Sequence, residues 1–347
     1  MIFPKWIRQG DMIGVTAPSD GVTNPLDIKR FENGKRKIEE HGNPVVFTDN
    51  VFQSIEGGPS SSGIERGEQL NQLLKDERVR AIYSAKGGNY LVEMLPYVDF
   101  EELVKNPKWI QGYSDNTGLL YTITTKYDVA TAYGCNFGDY GMNQWDESVI
   151  QNYRLLHGLS DGCQGFSMYQ DGFGPDRITG LEGYSCDKPS QWVNGRDEKK
   201  IKMTGRLIGG CADVLFFING TKYDGTLSFI EKYKKDGIIW YLESFSCNAD
   251  DLLMNLWHLK ELGWFQYAKG FVFGRPMFFE SYGGKTYEST VLYVLGDLNV
   301  PIIFNADIGH KGPQITMING AIATVESENG KGIVRYHLKK RKVAKKE

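Results

Sequence analysis

Cysteine is scarce and its spacing carries no chemistry. Cys135, Cys163, Cys186, Cys211 and Cys247 are scattered through 347 residues, are odd in number and form no CxxC pair. That pattern excludes a disulfide framework and a zinc site and leaves free thiols in a reducing cytoplasm as the expectation. The five histidines, His41, His157, His258, His310 and His337, form no HxH or HExxH, so no metal is expected. "SAKGGNY" (84–90) lacks the GxxxxGK[ST] pattern of a phosphate loop, and no GxGxxG opens a helix after the first apolar run. A net charge of −3 supplies no field for nucleic acid or a membrane surface. The longest apolar runs, such as "VLFFI" (214–218), are too short to span a bilayer. "MIFPKWIRQGD" has neither a long apolar segment nor a small-residue cleavage site, so no signal peptide is expected. The basic run "HLKKRKVAKKE" (337–347) reads as a solvated, frayed end.

What is present is ample core material: 41% hydrophobic and 24% charged residues, over a length that suggests two domains. Up to about residue 158, short apolar runs alternate with helical patterns. "MIGVTAP" (12–18), "PVVFT" (44–48), "VRAIYSA" (79–85), "KWIQGY" (108–113) and "DVATAYG" (128–134) read as strands. Segments 25–42 and 63–77, and one from about Asp115, read as helices. That alternation predicts βαβ units and a mainly parallel sheet flanked by helices. Residues 159–200 are rich in Gly, Ser, Asp and aromatics and read as a linker with binding-loop or hairpin character. From 201 onward a second α/β domain is expected. It has a strand, a Gly-Gly turn and a helix in "MTGRLIGGCADVLFFINGTKY", strands "GIIWYLE" (237–243), "KGFVFG" (269–274) and "VPIIFNAD" (300–307), and helices at 250–264 and 286–298. The last pattern, "QITMINGAIATVES", reads as a hairpin turning at Asn319-Gly320.

Three chemistry-bearing residues fall where strands give out: Ser114 after "KWIQGY", Glu243 at the end of "GIIWYLE" and His310 after "VPIIFNAD". The carboxyl ends of parallel strands line the ligand crevice. A serine becomes nucleophilic with a base beside it and an acid orienting the base. Each residue alone has a plainer explanation: a helix cap for Ser114, a strand-end carboxylate for Glu243, a loop histidine for His310. An oxyanion could be received by the amide of Asp115 at the start of the following helix, with a second donor from Gly87-Gly88. "GYSDN" is only part of a GxSxG elbow, because Asn116 replaces the second glycine. A non-catalytic peptide- or nucleotide-binding protein and a general esterase therefore stay open on the residues alone.

Five stretches, "GDMIGVTAPSD", "VRAIYSAKGGNY", "WIQGYSDNTGLL", "GRLIGGCADVLFFINGTKY" and "YLESFS", completed by "ADIGHKGPQITMINGA", resemble the LD-carboxypeptidases, serine peptidases that include the microcin C immunity peptidases. The resemblance implies a nucleophile domain (1–158) and a C-terminal domain (201–347) that supplies acid and histidine, with the site between them. It implies Ser114 as nucleophile, His310 as base and Glu243 as acid. It further implies Asp115 and Gly88 amides as oxyanion hole, no metal or organic cofactor, and a cytoplasmic homodimer. Two departures fall on the substrate side: Cys135 in "AYGCNFGD", where the family often has proline, and "TMINGA" after the histidine. Substrate contacts are expected from Gly87, Asn136 and Trp192. The long interval between serine and acid is similar to the immunity branch, whose loop aromatic stacks on a peptidyl nucleotide. Trp192 in "GYSCDKPSQWVNGRDEKK" is the residue expected to do so here. The shorter branch trims the D-amino acid from L,D-tetrapeptide muropeptides, and the substrate expected here is a small peptide or a peptidyl-nucleotide.

Overall fold

The βα alternation of the first half folds as expected in the computed structural model, which describes residues 1–338; the basic run 339–347 lies outside the described residues. The first half runs β1 (Met12–Thr16), α1 (Pro25–Glu40), β2 (Val45–Phe47), α2 (Gly63–Lys75), β3 (Val79–Ser84), α3 (Phe100–Lys105), β4 (Trp109–Gly112), α4 (Thr117–Tyr127), β5 (Thr131–Tyr133) and α5 (Glu147–Leu156). Local chemistry fixes the helix starts. The Asn24 side chain accepts from the Leu26 amide ahead of Pro25, and Ser62 and Glu65 form a reciprocal capping box on α2. Helix α4 is buried from Thr117 to Thr125, which suits its apolar and Thr-rich sequence to a place between layers.

Residues 159–200 are largely irregular but carry four short strands: β6 (Gly162–Gln164), β7 (Met168–Tyr169), β8 (Lys188–Pro189) and β9 (Val193–Asn194). The second half continues with β10 (Lys200–Cys211), α6 (Ala212–Ile218), α7 (Thr226–Lys232), β11 (Ile238–Glu243), α8 (Ala249–Glu261), β12 (Ala268–Gly274), α9 (Tyr287–Leu295), β13 (Ile302–Ala306), β14 (Met317–Asn319), β15 (Ile322–Glu328) and β16 (Lys331–Tyr336). The six-stranded sheet has the order β14-β5-β4-β3-β1-β2, and the eight-stranded sheet β6-β16-β15-β10-β11-β12-β13-β9. Strands β1 to β5 pair in parallel, as do β10 to β13; antiparallel strands close both edges of the second sheet and the β14 edge of the first, whose other edge is the parallel β2. The molecule is thus a two-domain α/β protein of mainly parallel sheets.

Two expectations are corrected. Gly209-Gly210 is not a turn: both residues continue β10, opposite Tyr241 and Leu242 of β11. "QITMINGAIATVES" is not a hairpin either. Strand β14 joins the first sheet beside β5 while β15 joins the second beside β10, so the chain crosses between sheets at Asn319-Gly320. The Asn319 side chain is buried there, accepting from the Gly209 amide at 3.1 Å and the Tyr241 hydroxyl at 2.7 Å, and so serves the junction rather than a solvent turn. The actual Asn-Gly hairpin is ten residues later, where Asn329 (φ 51) and Gly330 (φ 76) join β15 to β16 in the positive-φ geometry such turns need. The sheets are further tied through α4: Tyr121 stacks on Trp264 at 5.7 Å and bonds Thr226 Oγ1 at 2.6 Å, and the Cys211 amide donates to Thr117 Oγ1 at 2.9 Å.

Candidate active site

Ser114 follows β4 after one intervening residue, Tyr113, and takes a left-handed backbone, φ 64, which L-residues other than Asn and Asp seldom adopt. The strain is held by bonds from all sides. The Ser114 N–H donates to the Tyr133 hydroxyl at 3.1 Å, and the Tyr113 N–H to Asn136 Oδ1 at 3.1 Å. Asn116, the residue that departs from GxSxG, donates its side-chain N–H to the carbonyls of Tyr113 (2.9 Å) and Lys86 (3.1 Å). The helix that follows has no side-chain cap from Ser114. Its hydroxyl instead lies 2.9 Å from His310 Nε2.

His310 Nδ1 is 2.8 Å from Glu243 Oε2, and Glu243 Oε1 accepts from the Tyr133 hydroxyl at 2.6 Å. Glu243 ends β11 and has no exposed surface. Gly309 makes the approach possible, since its φ is 97 and a Cβ there would sit 2.4 Å from Glu243 Oε2. The imidazole is walled by Phe245 at 4.7 Å and Tyr113 at 5.3 Å. Burial alone would pull the His310 pKa down. The Glu243 charge and hydrogen bond, helped by Asp213, outweigh it, and the pKa ends above the ordinary imidazole value.

Beside the serine, Gly87 runs so close that a Cβ on it would lie 3.0 Å from Ser114 Oγ. Gly88 has φ 151, and a Cβ there would strike Asp20 and Ser19. The Asp115 carboxylate points away from the catalytic groups, accepting from Ser19 Oγ at 2.6 Å and from the Leu91 amide at 2.9 Å. Burial raises its pKa while those two bonds oppose the rise. Its side chain thus anchors the turn that carries its amide.

A cavity of about 1020 Å³ opens over these groups. Ser114, His310, Asp115, Gly87, Gly88 and Asn136 all line it, and Glu243 lies beneath His310. Trp192 does not line it, which corrects the expected stacking role. Its indole is 3% exposed and its Nε1 donates to Asp307 Oδ2 at 2.8 Å. A buried carboxylate needs donors, and Asp307 also takes Ser190 Oγ (2.7 Å), Arg275 (2.7 Å) and the Phe166 amide (3.0 Å). Trp192 is therefore part of the anchor that ties segment 159–200 to the second sheet. The aromatic of that segment at the cavity is Phe173, 71% exposed and set against Phe245 and Phe278. Sequence reasoning missed it and Tyr133. A phenylalanine inside "DGFGPD", bracketed by glycines in a long irregular segment, was the available signal for the first. Nothing local marked the second, whose partners lie far away in sequence. Among the described residues no cluster of three or more His, Cys, Asp or Glu could hold a metal, and no helix is long and apolar enough to cross a membrane.

Profiles of the LD-carboxypeptidase N-terminal and C-terminal domains match residues 13–134 and 204–325. The chain belongs to the LD-carboxypeptidase family. A carboxypeptidase-like protein of Vibrio cholerae is 30% identical, over 95% of this chain and 96% of its own. The microcin C7 self-immunity protein MccF of Escherichia coli is 25% identical, over 92% of each. The solved structure of MccF in complex with aspartyl sulfamoyl adenosine superposes with a TM-score of 0.79 at 21% identity, covering 97% of this chain and 99% of that one. As an LD-carboxypeptidase family member the chain is a peptidase of the serine class, with the two-domain α/β fold of MccF.

Proposed function

We propose that the protein hydrolyses a peptide-like amide through an acyl-enzyme, with Ser114, His310 and Glu243 as catalytic triad. The observation that carries this is the unbroken run of short contacts from Ser114 Oγ to His310 Nε2 and from His310 Nδ1 to Glu243, on a backbone strained into position. His310 takes the hydroxyl proton as Ser114 Oγ attacks the scissile carbonyl. Glu243 holds the tautomer that leaves Nε2 free and stabilises the imidazolium. The amides of Asp115 and Gly88 receive the oxyanion. His310 then protonates the leaving amine, and a water molecule, activated by the same imidazole, frees the acid product and restores the serine. The nucleophile comes from the 1–158 domain and the other two from the 201–347 domain, with 159–200 as the connecting loop. Gly87 and Asn136 would contact the substrate beside the serine. The assembly is a cytoplasmic homodimer.

The substrate class that fits is a small peptide joined to a planar group. Phe173, Phe216, Phe217 and Phe245 give the cavity an aromatic side on which a nucleobase could stack, and aspartyl sulfamoyl adenosine, the molecule bound by MccF, has that composition. Asp20, Lys86 and Asn89 make a polar wall suited to a peptide, which supports L,D-tetrapeptide trimming as the second reading. Purified protein assayed in parallel on an aspartyl-adenylate analogue with a cleavable amide and on an L,D-tetrapeptide muropeptide separates the two. Hydrolysis of neither, by folded protein that also takes up no serine-directed phosphonate at Ser114, would leave a binding protein.

A further inference from the structure

Tyr133 is fully buried on β5 of the first sheet, yet its hydroxyl touches two groups the reaction depends on. It accepts from the Ser114 N–H at 3.1 Å and donates to Glu243 Oε1 at 2.6 Å. Together with Glu243 Oε2 to His310 Nδ1 (2.8 Å) and His310 Nε2 to Ser114 Oγ (2.9 Å), this closes a ring of hydrogen bonds that leaves the nucleophile through its hydroxyl and returns through its amide. The proton count is consistent around it. Four donors, the Ser114 hydroxyl, His310 Nδ1–H, the Tyr133 hydroxyl and the Ser114 amide, meet four acceptors, with Glu243 ionised and accepting twice.

We infer that Tyr133 is a positioning residue that sets both the nucleophile's backbone and the carboxylate's orientation, across the junction of the two sheets. The inference rests on the triad reading above. Glu243 is as buried as Tyr133, so no solvent molecule stands ready to replace the phenol. With Oε1 held, Oε2 stays aimed at His310 Nδ1 when the imidazole becomes charged. With the Ser114 N–H occupied, that amide is withdrawn from oxyanion duty, which is left to the next one, that of Asp115, a residue that lines the cavity. The phenol stays protonated and able to donate, because burial and then the Glu243 charge push its pKa well above the ordinary value. Its ring is held by Tyr241 at 5.7 Å and Tyr113 at 6.4 Å, so the hydroxyl has little freedom to leave.

The test is Tyr133→Phe, with kcat, KM and the pH profile of kcat/KM measured on whichever amide substrate the wild type cleaves. Leaving a buried donor and acceptor unpaired predicts a fall in kcat of roughly 10- to 100-fold, with KM changed far less. The acid limb should move to higher pH, because an undivided Glu243 charge holds the proton on His310 more firmly. Replacing Tyr133 by 3-fluorotyrosine keeps the shape and strengthens the donor, and should move the acid limb the other way. A folded Tyr133→Phe with wild-type kcat and an unmoved limb overturns the inference. Should that variant not fold, an unmoved limb in the fluorotyrosine protein overturns it equally. Ser114→Ala in the same assay keeps the two ideas apart. Full activity there ends the triad reading and this inference with it, whereas a dead Ser114→Ala beside a fully active Tyr133→Phe removes only the role of Tyr133.

Discussion

The left-handed backbone at Ser114 makes a stability prediction that runs against the usual order of alanine and glycine. Ser114→Ala and Ser114→Gly both remove the hydroxyl bonded to His310 and so lose the same side-chain interaction. They differ in what the backbone costs at φ 64. An L-residue in this region is strained by about 1–2 kcal/mol, and glycine is not. Glycine in turn loses more chain entropy on folding, about 0.5–1 kcal/mol relative to alanine. The difference leaves Ser114→Gly equal to Ser114→Ala or more stable, by up to about 1.5 kcal/mol. Urea unfolding of the two variants, followed by tryptophan fluorescence, reads that difference from the midpoints at equal slope. Glycine falling below alanine by the ordinary 0.5–1 kcal/mol or so would refute the claim that the elbow is strained.

Further outcomes concern His310, Phe173 and Trp192. The base must be neutral to accept the serine proton, and the His310 pKa is raised, so the acid limb of kcat/KM should lie above the ordinary imidazole value near 6.5. The same shift makes His310 contribute stability that is fully present below its unfolded value and is lost as pH rises through the folded one, which denaturation at several pH values can follow. A limb at or below the ordinary value would contradict the dominance of Glu243. Phe173→Ala should leave stability nearly unchanged, because the ring is largely exposed, while raising KM about 5- to 10-fold for a nucleoside-bearing substrate with kcat kept; an unchanged KM would remove Phe173 from the substrate site. Trp192→Phe should cost about 1–3 kcal/mol by leaving Asp307 short of a donor, with little change in KM. A large rise in KM at unchanged stability would restore Trp192 to substrate binding.

The sheet-forming elements of the first half were legible because each is a short buried run between helices with ordinary caps. Ser114, Glu243 and His310 were legible as strand-end residues, and their convergence matches the pattern of a parallel sheet whose crevice lies at the carboxyl ends. What was hidden depends on pairing over long separations. Asn319-Gly320 carries the dipeptide of a hairpin, but the strands on its two sides find partners in different sheets, and Gly209, Tyr241 and Thr131, brought up by β10, β11 and β5, make that burial of Asn319 favourable. Trp192 and Phe173 are both aromatics in one irregular segment, and composition cannot say which is inside. The indole N–H decides it, because the buried Asp307 carboxylate takes it as one of its donors, and phenylalanine has none to offer. Tyr133 was invisible for the same reason, being one tyrosine in an apolar strand whose hydroxyl gains meaning from Glu243, 110 residues on.

The central claim is that Ser114 becomes acylated. Mixing the protein with a substrate whose amide it cleaves, quenching in acid within the first turnovers and mapping peptides by mass spectrometry tests it directly. The acyl mass is expected on the peptide containing Ser114 and absent from Ser114→Ala, whose turnover should be lower by at least about 1000-fold. Turnover without any adduct on that peptide, together with near-wild-type hydrolysis by Ser114→Ala, would contradict it.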